Sequence, residues 1–391
     1  MDRKTTFSIS CEDHHTLART GKLIIGDSVI KTPIFWLGHQ IKNRPIPWRY
    51  FDVFGVLVNA CSILSRAKIS KQIEEIGIRK FLGFSGPIMM DSGGFLFQKK
   101  EIVDANPLRI MNLYERSEPD IGVILDHPLE LDLDKRKNKK RLNLTMKNTK
   151  VMYENNGGIT LLPVVHGYTI EDIYQTIGCI KDTIGDPPLI GIGSLVPLIK
   201  ALNGRKKLFI SRKHTKEKMN TQGKFLTGYL MVDIIKLIKK EFPKSFLHVF
   251  GIGGATTMHL MFSLGVDSID SIGWRIKAAH GAIQFPGVGD RFVSPKKRKR
   301  TSLSEEDMTL LEQCQCPICR YNSLSMRKKL LDNADSSTFH NRAIHNAWIF
   351  QQDVKESWES IESGNYIHYV HEHLKSSPMK KFFRYAFKGE L

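Results

Sequence analysis

FLHVFGIGG, Phe246 to Gly254, is a short apolar run that ends abruptly in glycines. Such a run is too short for an ordinary helix, and its aliphatic and aromatic content suits a strand covered on both faces. The glycines at 251, 253 and 254 let the backbone approach closely whatever lies beyond the strand end. The same construction recurs outward in both directions. After an N-terminal piece around Gly21 to Gly26, the runs are Pro33 to Leu37, Gly55 to Ala60, Pro87 to Met90, Ile121 to Leu125, Leu161 to Val165, Leu189 to Ile192, Phe246 to Phe250 and Asp267 to Ile269. Most are separated by stretches long enough for a helix. Eight covered strands alternating with helices predict an α/β fold, a (β/α)8 TIM barrel; an open doubly wound sheet is the alternative.

A barrel of this kind builds its active face from the loops that follow the strands, so polar residues should stand where the runs end. Asp91, Asp126, His166, Ser194 and Asp270 do, with Gly193 and Gly251 beside them. The predicted organisation is a barrel over 1–293, a basic linker and zinc-binding subdomain over 294–350, and a C-terminal helical segment over 351–391. A helix is expected from Asn341, with its apolar spacing continuing to Leu374. Three partly basic stretches look like additions to the barrel: Asp134 to Arg141, Asn203 to Lys224, and Ser294 to Asp307. The last, SPKKRKRTSLSEED, has the composition of a nuclear-import signal and equally that of a solvated linker or a phosphate-contacting loop.

Lys and Arg number 58 against 40 Asp and Glu, a formal charge of +18. That field favours polyanions, nucleic acid first, although basic surface loops on any soluble protein give the same count. The first residues, MDRKTTFSISCEDHH, lack the apolar core of a signal peptide, and no apolar run reaches the roughly 18 residues needed to span a bilayer. The expected location is the cytosol of a bacterium or phage-infected cell, away from membranes. Cys11, Cys61 and Cys179 are scattered, whereas Cys314, Cys316 and Cys319 read C-x-C-x2-C. In a reducing compartment that cluster points to metal; a redox or buried thiol cluster is the alternative. With His345 or His340 it makes a tetrahedral set that leaves no position for water, so the zinc would be structural.

MMDSGGFLF, Met89 to Phe97, resembles the aspartate loop of tRNA-guanine transglycosylases, and the cysteine cluster with its later histidine matches that family's metal site in order and spacing. The stretch His248 to Trp274 resembles the family's segment leading to its nucleophile, and GIGSLVP its base-binding loop. The resemblance covers roughly Pro33 to Leu374 and implies the same zinc-bearing TIM barrel, with His345 as the fourth ligand. It implies Asp270 as nucleophile, Asp91 as general acid/base, and Asp126 as the carboxylate that accepts guanine N1–H and N2–H together. Backbone groups of Gly193, Ser194 and Leu195 would complete base recognition beside Gly251, with Phe95 and Phe250 stacking on the purine faces. A retaining exchange of this type places its two carboxyl groups about 5 Å apart.

Two departures from the family pattern stand out. His166 replaces its glutamine after the fifth strand, and the acid that follows its base-binding loop is missing around Pro197 to Lys200. Without that acid a neutral 7-cyano-7-deazaguanine is the expected incoming base. The form Asp270-Ser271-Ile272-Gly273-Trp274-Arg275, the short chain and the high basicity resemble the DNA branch, the DpdA-type 7-deazaguanine DNA transglycosylases. DNA is therefore the expected substrate, with tRNA as the alternative. A non-catalytic nucleic-acid-binding subunit and a zinc hydrolase are the readings from other classes; retention of Asp91 and Asp270 argues against the first, the filled metal shell against the second. Arg275, Lys277, Arg291 and Lys296 to Arg300 are the candidate phosphate contacts. A duplex substrate must have its target base extruded, which makes an accessory ATPase or helicase an expected partner beside the base itself and, as a homodimer, a second copy of the chain.

Overall fold

The computed structural model describes residues 4–94, 106–202, 223–295, 300–375 and 377–387. Three antiparallel strands open the chain, β1 (Thr5–Glu12), β2 (Arg19–Ile25) and β3 (Ser28–Thr32), in the order β1-β2-β3. The barrel follows: β4 (Ile34–Gly38), β5 (Val56–Asn59), β6 (Ile88–Asp91), β7 (Ile121–Val123), β8 (Leu161–Leu162), β9 (Val164–Val165), β10 (Leu189–Ile192), β11 (Phe246–Val249) and β12 (Ser268–Ser271). All neighbours in this sheet are parallel. Its order, β8-β7-β6-β5-β4-β12-β11-β10-β9, starts and ends on two pieces separated only by Pro163. Proline has no N–H to give the ladder, but its carbonyl still accepts from Gly191 N at 2.8 Å. β8 and β9 are thus two halves of one strand, and the sheet closes through it into a barrel of eight, one for each apolar run. The alternative of an open sheet is excluded.

Every residue of β4, β10 and β11 is buried, as helix-covered parallel strands require. Arg19 of β2 grips Asp267, just before β12, with Nε to Oδ1 at 2.8 Å and a terminal nitrogen to Oδ2 at 2.7 Å. The same guanidinium donates to the carbonyls of Pro243 and Ser245, so the N-terminal sheet is locked to the bottom of the barrel by a fully paired, fully buried ion pair.

One expectation about organisation is corrected. Asp134 to Arg141 is no insertion: Asp134 caps the 20-residue helix Lys135–Glu154, its Oδ1 accepting from Lys137 N at 2.7 Å. The helix Phe339–Glu362 runs unbroken through position 350. The chain then breaks at Gly364, whose φ of 73° suits glycine, before Tyr366–Leu374. Most of Asn203 to Lys224, and 296–299, lie outside the described residues. Among the described residues no helix is long and apolar enough to cross a membrane.

Candidate active site and metal centre

The C-terminal ends of β6, β7 and β12 bring three carboxylates into one mouth. Asp91 ends β6, register-paired with Asn59 of β5, and Asn59 Nδ2 donates to its Oδ2 at 2.8 Å. Gly93 N also donates to it. Burial, then the negative charges of Asp126 and Asp270, push the Asp91 carboxyl up to about 7. It therefore holds a proton near neutrality while remaining close enough to the other two acids to feel their charge. Gly93 has φ 90°, and a Cβ on Gly94 would collide with the Asp126 carbonyl, so the Gly-Gly pair is what lets the chain turn away from Asp91 without blocking its neighbour.

Asp126 is almost fully buried beyond β7. Its Oδ1 takes Ser92 Oγ at 3.4 Å and its Oδ2 lies 3.0 Å from His166 Nε2. His166, wholly buried, touches Ser194 Oγ through Nδ1 at 2.7 Å, and Ser194 sits in the left-handed region at φ 64°. Gly193 is required here by His166: an added Cβ would strike the imidazole ring. The Leu195 side chain is fully buried, and the Gly193 N–H is already bonded to Val165 O, so base contacts from this loop would come from the remaining backbone groups. Among the substrate candidates His166 therefore stands behind Asp126 rather than facing open space.

Asp270 lies on β12 opposite Trp36 of β4. Its Oδ1 accepts Gly251 N at 2.7 Å, made possible by a φ of 71° at Gly251, and lies 3.4 Å from His248 Nε2. Phe250, partly exposed at the end of β11, packs edge-on against His248 with centroids 4.3 Å apart and offers a ring at the mouth. Phe95, the other stacking candidate, lies outside the described residues.

At the far end of the chain Cys314 caps the helix Glu305–Gln313, Cys316 and Cys319 form the next turn, and His345 comes from the long helix Phe339–Glu362. His345 Nδ1 lies 3.7, 3.5 and 3.7 Å from the sulfurs of Cys314, Cys316 and Cys319. A tetrahedron with bonds of about 2.3 Å to sulfur and about 2.0–2.1 Å to nitrogen has N···S edges of roughly 3.6 Å, so the donor set fits zinc. His345 Nε2 reaches the Gln284 carbonyl at 3.0 Å, which fixes Nδ1 as the ligating nitrogen. All four ligands are buried and leave no open position. The competing His340 is exposed and outside this group.

A profile of the family described as queuine tRNA-ribosyltransferase matches residues 13–379. The chain belongs to that family. It is 24% identical over 382 residues to the tRNA-guanine(15) transglycosylase of Pyrococcus abyssi, covering 96% of this chain and 58% of the relative. It is 26% identical over 386 residues to the enzyme of the same name from Methanocaldococcus jannaschii, covering 95% of this chain and 52% of the relative. The chain thus spans a little over half the length of these relatives. Both are named for guanine in tRNA, and both are archaeal; neither supports the DNA branch or the bacterial or phage setting that Asp270 to Arg275 suggested.

The candidate phosphate contacts are mostly engaged. Lys277 Nζ meets both oxygens of Asp290 at 2.7 Å, and Arg291 Nε meets Asp307 at 2.6 Å, the same carboxylate that closes the capping box with Ser304. Arg275 donates Nε to the Arg44 carbonyl at 3.1 Å and lies 5.3 Å from the Phe339 centroid. Arg300 donates to the His280 carbonyl; the rest of its cluster is outside the described residues. Sequence reasoning missed Asn59, His248, Ser268 and Trp36. Asn59 was findable by the rule that located Asp91, since VLVN ends an apolar run in a polar residue. The other three lie inside apolar runs or against one, where hydropathy alone reads them as packing.

Proposed function

We propose that the chain exchanges guanine in a nucleic acid for a 7-deazaguanine by double displacement, with Asp270 as nucleophile, Asp91 as general acid/base and Asp126 as the base-reading carboxylate. The observation that carries this reading is the division of labour at the mouth: one carboxyl held protonated near neutrality beside another fastened to a backbone N–H. Pairs of acids whose surroundings push their protonation apart are how one site runs both halves of a glycosyl transfer. The Asp270 carboxylate bonds to C1′ as the C1′–N9 bond breaks, and the Asp91 proton passes to the departing guanine. The incoming base then gives a proton back to Asp91, its N9 bonds to C1′, and Asp270 is released as carboxylate. Nothing is oxidised, and no water is consumed.

The names of the relatives support tRNA as the polynucleotide. DNA is the second reading, carried by the Asp-Ser-x-x-Trp-Arg form after the nucleophile. For the incoming base, the helix Val196–Leu202 places Lys200 and no carboxylate after the base-binding loop, which favours the uncharged 7-cyano-7-deazaguanine over an aminomethyl cation. Cys314, Cys316, Cys319 and His345 would hold a structural zinc that ties the long C-terminal helix to the basic linker, and elemental analysis should find about one per chain. An accessory ATPase or helicase and a homodimer remain proposals for a duplex substrate.

The test is incubation of purified protein with guanine-labelled tRNA or DNA and each 7-deazaguanine, followed by nucleoside mass spectrometry. Product in tRNA that requires Asp270 supports the main reading. Product in DNA alone selects the second reading, and faster incorporation of the aminomethyl base overturns the choice of nitrile.

A further inference from the structure

Two of the three carboxylates at the mouth have a buried imidazole directly behind them, and each imidazole has a buried serine behind it. In the first set, Ser268 Oγ lies 2.7 Å from Trp36 Nε1 and 2.7 Å from His248 Nδ1, and His248 Nε2 faces Asp270 Oδ1 at 3.4 Å. In the second, Ser194 Oγ lies 2.7 Å from Leu129 N and 2.7 Å from His166 Nδ1, and His166 Nε2 faces Asp126 Oδ2 at 3.0 Å. Both histidines and Ser268 are wholly buried, and Ser194 nearly so.

The proton positions follow from the donor inventory. An indole N–H and a backbone N–H can only donate, so each serine oxygen accepts from the far side. Neither hydroxyl has a third partner among the described residues, so its one proton goes to the imidazole Nδ1. That leaves Nδ1 as acceptor and places the ring proton on Nε2. Neither Nε2 has a hydrogen-bond partner among the described residues; each lies beside a carboxylate, His166 Nε2 3.0 Å from Asp126 and His248 Nε2 3.4 Å from Asp270. A buried N–H left unmatched is costly, and in each case the nearest acceptor is the carboxylate. The barrel itself sets up the first relay: His248 of β11 is register-paired with Ser268 of β12, and Asp270 is two residues on, on the same face of its strand.

Resting on the assignment of Asp270 and Asp126 above, we propose that His248 and His166 are positioning residues, each locked by a buried serine as the Nε2–H tautomer and holding that polar edge behind a carboxylate. His248 steadies Asp270 for attack on the sugar carbon, and His166 steadies Asp126 for reading the base. The two relays should therefore separate kinetically, one acting on turnover and the other on base affinity.

Two measurements on the full chain test this. With histidine labelled in nitrogen-15, NMR identifies the tautomer of each ring, the two resonance sets being assigned by their loss in His248→Gln and His166→Gln. Both rings should carry the proton on Nε2, and Ser268→Ala should disturb that of His248 alone; a proton on Nδ1 in either ring overturns the relay. In guanine exchange, His248→Phe should lower kcat roughly 10–100-fold with little change in KM for guanine. His248→Gln, which returns an N–H donor to nearly the same place, should recover most of the loss. His166→Phe should instead raise KM for guanine about tenfold. If the glutamine variant is as slow as the phenylalanine variant, or if all variants change only thermal stability, the histidines are packing and the proposal fails. Wild-type protein that exchanges guanine in neither nucleic acid refutes the functional reading, while the tautomers still decide whether the relays exist.

Discussion

Asp267 and Asp270 are three residues apart at opposite ends of β12, and the barrel treats them in opposite ways. Asp267, at the bottom, is gripped by both arms of Arg19 and also accepts Leu247 N at 2.8 Å. Asp270, at the top, has one backbone N–H and a histidine at 3.4 Å, and lies within electrostatic range of Asp91. The bottom face is saturated with partners and the top face is short of them. A carboxylate whose lone pairs are all occupied holds a fold together; one left partly unmatched and crowded by like charge is available to react. The left-handed backbone at Gly93, Ser194 and Gly251 is all on the top side as well.

The largest effect should fall on the top. On the proposed mechanism Asp270→Ala removes the attacking group, and exchange should drop by at least about a thousandfold, followed as labelled guanine incorporation. Thermal stability should hold or rise slightly, because a negative charge leaves a crowded mouth. A variant that unfolds would break the contrast between the two ends of the strand.

Next comes the bottom. Arg19→Ala leaves a buried carboxylate unpaired and should cost about 3–5 kcal/mol of stability, read by denaturant titration. In whatever fraction stays folded, KM for guanine should match wild type. A large KM change would mean that the bottom face shapes the site.

Asp91 sharpens the comparison through pH. Its carboxyl is raised from the ordinary 3.8 to about 7, so the folded state favours the protonated form. The stability this confers is fully present below about pH 4 and is lost as pH rises through about 7. Asp91→Asn is permanently uncharged and should melt above wild type at about pH 8.5, with the difference shrinking toward acid. Exchange by wild type should decline above about 7 as the acid is lost, whereas Asp91→Asn should be slower by about a hundredfold or more with that alkaline limb gone. An unchanged limb would assign it to another group.

The eight strands were legible because a parallel strand covered on both sides is a continuous apolar run, and the metal set because three of its ligands fall within six residues. The helix Lys135–Glu154 was misread for a physical reason. Its buried face includes Thr145, Asn148 and Thr149, which are satisfied by polar contacts: His127 N donates to Thr145 Oγ1 and Asn148 Nδ2 donates to Leu125 O. A face buried through hydrogen bonds leaves little hydropathy period to see. The same logic hid His248 and Ser268, whose role depends on cross-strand register that only the closed barrel supplies. Asp91, Asp126 and Asp270 were named from strand ends and from family resemblance; that Asp91 would hold its proton follows from its burial and then from the charges assembled around it.

The smallest predicted effect concerns which cations grip the nucleic acid, and it asks whether the saturated character of the bottom extends to the zinc side of the mouth. Lys277 is already matched to both oxygens of Asp290, whereas Arg275 is bonded to a carbonyl and lies over a ring, neither of which cancels its charge. Each phosphate neutralised by a protein cation adds about one to the dependence of log affinity on log salt. Arg275→Ala should therefore flatten that slope by about one for whichever nucleic acid is bound. Lys277→Ala should leave the slope unchanged and lower stability by at most about 1 kcal/mol, as expected of a half-exposed pair. If Lys277→Ala flattens the slope instead, the Asp290 pair opens on binding, and the basic surface of the chain continues from the barrel mouth into the Cys-His segment.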